Sequence, residues 1–137
     1  MKTMKRTLPI LVIFSFLHFY TGFAQQVNIN DGIISAIKAG NSKELAKFFN
    51  SNIELIILDK EGVYSKSQAE LILKDFFSKN VPTQDRFLKL HEGGKDASKY
   101  VIGTLITTKG RYRVYYLMKS LNNDLSIHNF RIEDENN

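Results

Sequence analysis

A histidine among tyrosines is the residue group in this sequence best suited to chemistry. His128 falls on the same apolar sheet face as Tyr112, Tyr116 and Met118 when the last strands are paired as derived below. An imidazole titrates near neutral pH and a phenol can donate a hydrogen bond, so such a group can move a proton. A dyad would also need a carboxylate aimed the same way, and none is found. Glu54, the nearest in type, lies on a strand whose inward set is Ile53, Leu55 and Ile57. The competing reading is a histidine hydrogen-bonded at the edge of the sheet. The four residues are therefore a candidate pocket, with no catalytic residue assigned.

Two other patterns suggest chemistry and are outweighed. Gly93-Gly94-Lys95 resembles a phosphate-cradling loop, but it lacks the full glycine spacing and leads into a strand where a helix N-terminus is needed. A hairpin loop is the better reading, and His91 beside it is solvent-exposed. The stretch Lys109, Arg111, Tyr112, Arg113, Tyr115, Tyr116 interleaves basic and aromatic residues as nucleic-acid surfaces do. The strand register turns Tyr112 and Tyr116 inward and sets acids opposite two of the arginines, so a solvated sheet face is preferred and no nucleic-acid partner is expected. The chain has no cysteine, which removes disulfides and thiol chemistry. His91 and His128 have no partners at metal-ligand spacing, so neither a metal nor a cofactor is expected.

The elements that must position these residues are legible from periodicity. Ile29, Ile33 and Ile37, with Ile34, form one face of a helix over Ile29 to Ala39, begun near Asn30 or Asp31 and stopped at Gly40-Asn41. Ser42 to Asn50 reads as a second short helix, with Asn41 and Glu44 as a capping pair. Ile53 to Leu58 is too short and β-branched for a helix and reads as a strand, with Val63-Tyr64 returning. Ser65 and Gln68 then form a capping box. Ala69, Ile72, Leu73, Phe76 and Phe77 follow it as the buried face of the clearest helix, ended by Asn80 and Pro82, with Glu70 and Lys74 paired outside. Arg86 to His91, Tyr100 to Thr108, Arg111 to Lys119 and Leu125 to Glu133 are strands, and Glu92 to Ser98 is a loop.

A two-residue turn at Lys109-Gly110 sets Arg111 opposite Thr108 and sorts the hairpin into two faces. Val101, Gly103, Leu105, Thr107, Tyr112, Val114, Tyr116 and Met118 share the uncharged one, which the helices should cover. A three-residue loop at Asn122 to Asp124 sets Met118 opposite His128, Tyr116 opposite Phe130, Arg113 opposite Glu133 and Arg111 opposite Glu135. A two-residue loop would send Arg131 into the apolar face and Phe130 out, so the longer loop is preferred.

Residues 1 to 24 have the three parts of a secretory signal peptide: basic Lys2, Lys5 and Arg6, the thirteen-residue apolar run Leu8 to Tyr20, and small Gly22 and Ala24 before Gln25. The run is short of the roughly 20 residues that span a bilayer. Cleavage is expected after Ala24, leaving one domain, 25 to 137, of 113 residues. With no cysteine for a lipid anchor, the product should be periplasmic or secreted, without a membrane anchor. Its net charge falls from +5 to +2, because the leader holds three basic residues and no acid. That is weak ground for binding nucleic acid or membrane.

Two helices, a hairpin, an amphipathic helix and a run of strands make an α+β domain with helices on one face of a bent antiparallel sheet. This order resembles the nuclear transport factor 2-like superfamily, a cone related to cystatin-like folds, over Ile29 to Glu133. The stretches GVYSKSQAELILKDFF and RYRVYYLMK, followed by FRIE, resemble a family of small exported Bacteroidota proteins of unassigned function. The superfamily contains isomerases, dehydratases and non-catalytic members, so the fold alone assigns no activity. The resemblance also implies that the sheet can carry a homodimer. The reading is an exported, non-enzymatic domain that holds a small apolar ligand in its cone or associates through its outer sheet, where Ile106, Tyr115 and Leu117 lie. The alternatives are an isomerase or dehydratase with His128 as base, and an envelope adaptor without a pocket.

Overall fold

The computed structural model describes residues 28–136; the expected leader and its cleavage point lie outside the described residues. The elements run α1 (Ile29–Ala39), α2 (Ser42–Ala46), β1 (Phe49–Ile57), β2 (Lys60–Ser65), α3 (Lys66–Lys79), β3 (Pro82–Lys95), β4 (Ser98–Thr107), β5 (Arg111–Leu121) and β6 (Asp124–Asp134). One six-stranded sheet has the order β2-β1-β6-β5-β4-β3. It is not wholly antiparallel: β1 and β6 run parallel, with Leu55 beside Phe130. The chain leaves β1 for the β2 edge, crosses on α3 to the far edge at β3, and returns by a meander that brings β6 back beside β1.

The helices form where the caps and stripes demand. Asn28 caps α1 by accepting from the Asn30 amide at 3.1 Å, two residues before the expected start, and Gly40 ends it with φ 61°. The Ser65–Gln68 capping box opens α3, which buries Ala69, Leu73, Phe76 and Phe77. Its ion pair is Asp75–Lys79 at 3.0 Å, not Glu70–Lys74. The second helix is shorter than expected. It stops at Ala46, and Phe49 and Asn50 open β1 instead. Packing overrides helical propensity there: Phe49 meets Phe130 with ring centroids 5.8 Å apart, and Phe48 seats its ring over Gly32.

Three strand connections differ from expectation. The seven-residue loop Glu92 to Ser98 is absent; β3 runs on to Lys95 and turns through Asp96 and Ala97 alone. Gly93 and Gly94 serve that pairing. A Cβ on Gly93 would lie 2.8 Å from the Tyr100 hydroxyl, and one on Gly94, at φ 132°, 2.2 Å from the Ser98 carbonyl oxygen. Between β4 and β5 the connection is Thr108 to Gly110, with Ile106 opposite Arg111. The Thr107 hydroxyl oxygen accepts from the Lys109 and Gly110 amides at 3.1 and 3.2 Å. The pairing shifts by two residues, so every side chain keeps its expected face.

The third difference displaces His128. Asn122 and Asn123, at φ 52° and 63°, make a two-residue hairpin turn. Pairing then runs Met118 to Ile127 near the turn, yet Tyr116 to Phe130 and Arg113 to Glu133 further on. A β-bulge absorbs the extra residue, so the short turn and the inward Phe130 coexist. Met118 therefore faces Ile127, not His128.

The inner face is a dense core. Tyr116 and Phe130 stack at 6.2 Å and 13°, Phe76 meets Tyr112 edge-on at 5.2 Å, and Phe87 lies against Gly103. No helix among the described residues is long and apolar enough to cross a membrane. A Cβ on Gly103 would fall 2.3 Å from the Phe87 ring. Gly103→Ala should therefore destabilise the fold by about 1–3 kcal/mol, the usual cost of overpacking, and adding Phe87→Leu should recover part of it. An unchanged midpoint in urea denaturation would contradict this packing.

Candidate functional site

The four residues of the expected pocket do not form one site. Tyr112 sits toward the closed end of the cone, where its hydroxyl donates to the Asn80 side-chain oxygen at 2.6 Å and Asn80 in turn donates to the Phe76 carbonyl at 3.0 Å. Burial, with Asp134 nearby, pushes its phenol up. Tyr116 lies four residues along the same strand, about 13 Å away, and is fully buried. Its hydroxyl donates to Asn30 Oδ1 at the start of α1. Burial, helped by the charges of Glu92 and Asp31, holds this phenol far above its ordinary range, so it stays a donor. Met118 follows at the mouth.

His128 has left the group altogether. Its bulge places the ring by Ser126, with Nε2 and the hydroxyl 3.3 Å apart, and Ser126 pairs opposite Lys119 on the outer face. Desolvation, and then the Lys119 charge, hold its pKa below the ordinary 6.5. Nothing among the described residues gathers three metal-ligating side chains.

What the structure does bring together is a cleft at the cone mouth, about 410 Å³ in volume, between the start of α1 and the β3–β4 hairpin. Its floor is Val101 and Met118, with Ile29 and Leu125 at the sides, and its rim is Asn28, Asn30, Glu92 and Lys99. Glu92 reaches the cleft because it pairs with Val101 and so shares its inward face. Its carboxylate meets Lys89 at 3.0 Å. Sequence reasoning missed Glu92 and Lys99 because it placed Glu92 in a loop, and missed the asparagines because a capping pattern reports only a helix start. A wider depression of about 510 Å³, lined by Leu58, Asp59, Glu133 and Asp134, has no comparable apolar floor.

The outer face carries the remaining aromatic and basic groups. Arg111 meets Glu135 at 2.6 Å, and Arg113 reaches that same carboxylate at 3.7 Å rather than Glu133. The hydrogen bond from Arg111, with one from Thr104, holds the Glu135 carboxyl below the usual range. Tyr100 and Tyr115 stack at 6.2 Å, Arg131 lies over Tyr115 at 5.7 Å, and exposed His91 shares a hydrogen bond of 3.0 Å with the Tyr100 hydroxyl.

The sequence matches, over residues 30–133, the model of a domain of unknown function, DUF4783. The chain belongs to the DUF4783 family. A solved family member from Bacteroides uniformis is 36% identical, covers 78% of this chain and 97% of its own, and superposes with a TM-score of 0.73. Below the family level, likeness is of fold alone. A structure carrying NTF2 in its name is 13% identical at TM-score 0.60, covering 76% of this chain and 92% of its own. A Nostoc punctiforme domain of unknown function, described as cystatin-like, is 9% identical at TM-score 0.62, covering 77% and 72%. This DUF4783 domain thus has a nuclear transport factor 2-like, cystatin-like α+β fold. No curated protein matches it.

The outward His128 has a measurable consequence. With its folded pKa depressed below 6.5, the unfolded chain binds the proton more readily, so stability falls as pH drops through 6.5 and below. Urea denaturation at pH 7.5 and pH 5 should show a smaller acid loss for His128→Gln than for the parent. Equal losses would contradict a depressed His128 pKa.

Proposed function

We propose that this domain is an exported, non-enzymatic binding module that takes a small, largely apolar ligand into the cleft at the mouth of its cone. The observation that carries the reading is the cleft itself, with Val101 and Met118 as floor and polar side chains confined to the rim. That is the composition of small-molecule sites in general. The ligand stops at the mouth, because Tyr116, Phe130 and Phe49 fill the cone behind it. Catalysis through His128 loses its support, since the ring lies on the outer face and both inward phenols are engaged by asparagines. Export rests on the leader pattern of residues 1 to 24, and release on the absence of cysteine; the compartment that follows is the periplasm or the exterior.

A second reading, homodimerisation through the outer sheet, is favoured by half-buried Ile106, Tyr115 and Leu117 beside charges of both signs. Such a face is complementary to a second copy of itself. Native mass spectrometry of protein exported with its own leader separates the two. A monomer beginning at Gln25 with a retained small-molecule mass, lost in Leu125→Trp, is expected. A ligand-free dimer would overturn the cleft reading in favour of the sheet.

A further inference from the structure

We infer that the ligand of the mouth cleft is an amphiphile whose head group is a hydrogen-bond acceptor, of which a medium-chain carboxylate is the simplest case. The inference rests on the cleft reading above and extends it to the head group. Two asparagines on the rim have their side-chain oxygens already occupied. Asn28 Oδ1 accepts from the Asn30 backbone amide at 3.1 Å. Asn30 Oδ1 accepts from Tyr116, whose phenol burial keeps in the donor form. Each carboxamide is thereby oriented, and its NH2 group has no partner among the described residues. Lys99 adds an ammonium to the same rim. The one rim carboxylate, Glu92, is engaged by Lys89 at 3.0 Å. The rim therefore offers three donor groups and one acid whose charge is paired, above a floor of Val101, Met118, Ile29 and Leu125. A donor-only head, such as an ammonium, would meet Lys99 and a carboxylate whose charge Lys89 already balances. A carboxylate would find several donors, and hydrogen bonds to a charged group are the stronger kind.

Tyr116 is thus a positioning residue: it does not touch the ligand, but it dictates which end of the Asn30 amide faces the cleft. Asn30→Asp keeps the oxygen that accepts from Tyr116 while removing the donor and adding repulsion.

The test is calorimetric titration of the purified protein with octanoate, octylamine and octanol, repeated on Asn30→Asp and on the exposed variant Lys99→Gln. Thermal melting checks that each variant is folded. Octanoate should bind more tightly than octylamine, and each variant should weaken octanoate about tenfold while leaving octanol little changed. If Asn30→Asp does not fold, Lys99→Gln alone decides. Equal affinities for all three compounds would overturn the head-group inference and leave the apolar cleft standing. No binding of any of them, octanol included, would remove the cleft reading and this inference with it.

Discussion

Two buried phenols hold this fold in its working shape. Strand β5 turns Tyr112 and Tyr116 into the core, and a hydroxyl taken out of water needs a partner or costs about 1–3 kcal/mol. Each finds an asparagine at the end of a helix: Tyr112 meets Asn80 just past α3, and Tyr116 meets Asn30 in the first turn of α1. The sheet and two of its covering helices are thereby fastened at specified points rather than merely pressed together by apolar surface. The position of α1 then follows, and with it the cleft, whose rim includes Asn28 and Asn30 and whose floor is the next inward residue of β5, Met118. No buried side-chain nitrogen or oxygen among the described residues lacks a partner, so the clasps are complete.

The same alternation separates two surfaces of different composition. Inward positions of β5 are aromatic or aliphatic, while outward positions carry Arg111, Arg113 and Lys119 with Tyr115 and Leu117 between them. The arginines converge on Glu135 near the chain end, and Tyr115 lies between Tyr100 and Arg131. Exposed ion pairs of this kind contribute little to stability. Their effect is to keep a broad sheet face wet, whereas the mouth of the cone pairs an apolar floor with a polar rim. Membership of DUF4783 and a nuclear transport factor 2-like fold accommodate either use.

Much of this is legible in the amino-acid sequence, where local signals and burial agree. The Ser65–Gln68 box and the stripe from Ala69 to Phe77 defined α3 because cap and core point the same way. The inward set on β4 and β5 survived a misplaced turn, since a two-residue slip preserves every face. The failures have a common cause in long-range contact. Phe49 reads as helical by spacing, yet joins β1 because Phe130 waits for it across the parallel pair. Gly93 and Gly94 read as a loop because their role, yielding to Tyr100 and the Ser98 backbone, lies across the hairpin. His128 is the sharpest case. Neither loop length alone satisfied both turn chemistry and burial, and the bulge that reconciles them has no local sequence mark. That bulge moved the candidate base outside, while Glu92, on β3, faces inward through its own pairing with Val101.

The claim on which this account turns is that ligand enters at the cone mouth, over Met118. The chain has three methionines, and Met1 and Met4 fall within the proposed leader, so a protein cleaved after Ala24 should carry a single methionine methyl, at the cleft floor. Carbon-13 methyl NMR of methionine-labelled exported protein, titrated with octanoate, reads that one position directly. A single Met118 resonance should shift saturably as ligand binds. A resonance that stays fixed while calorimetry records binding would place the ligand elsewhere and contradict it.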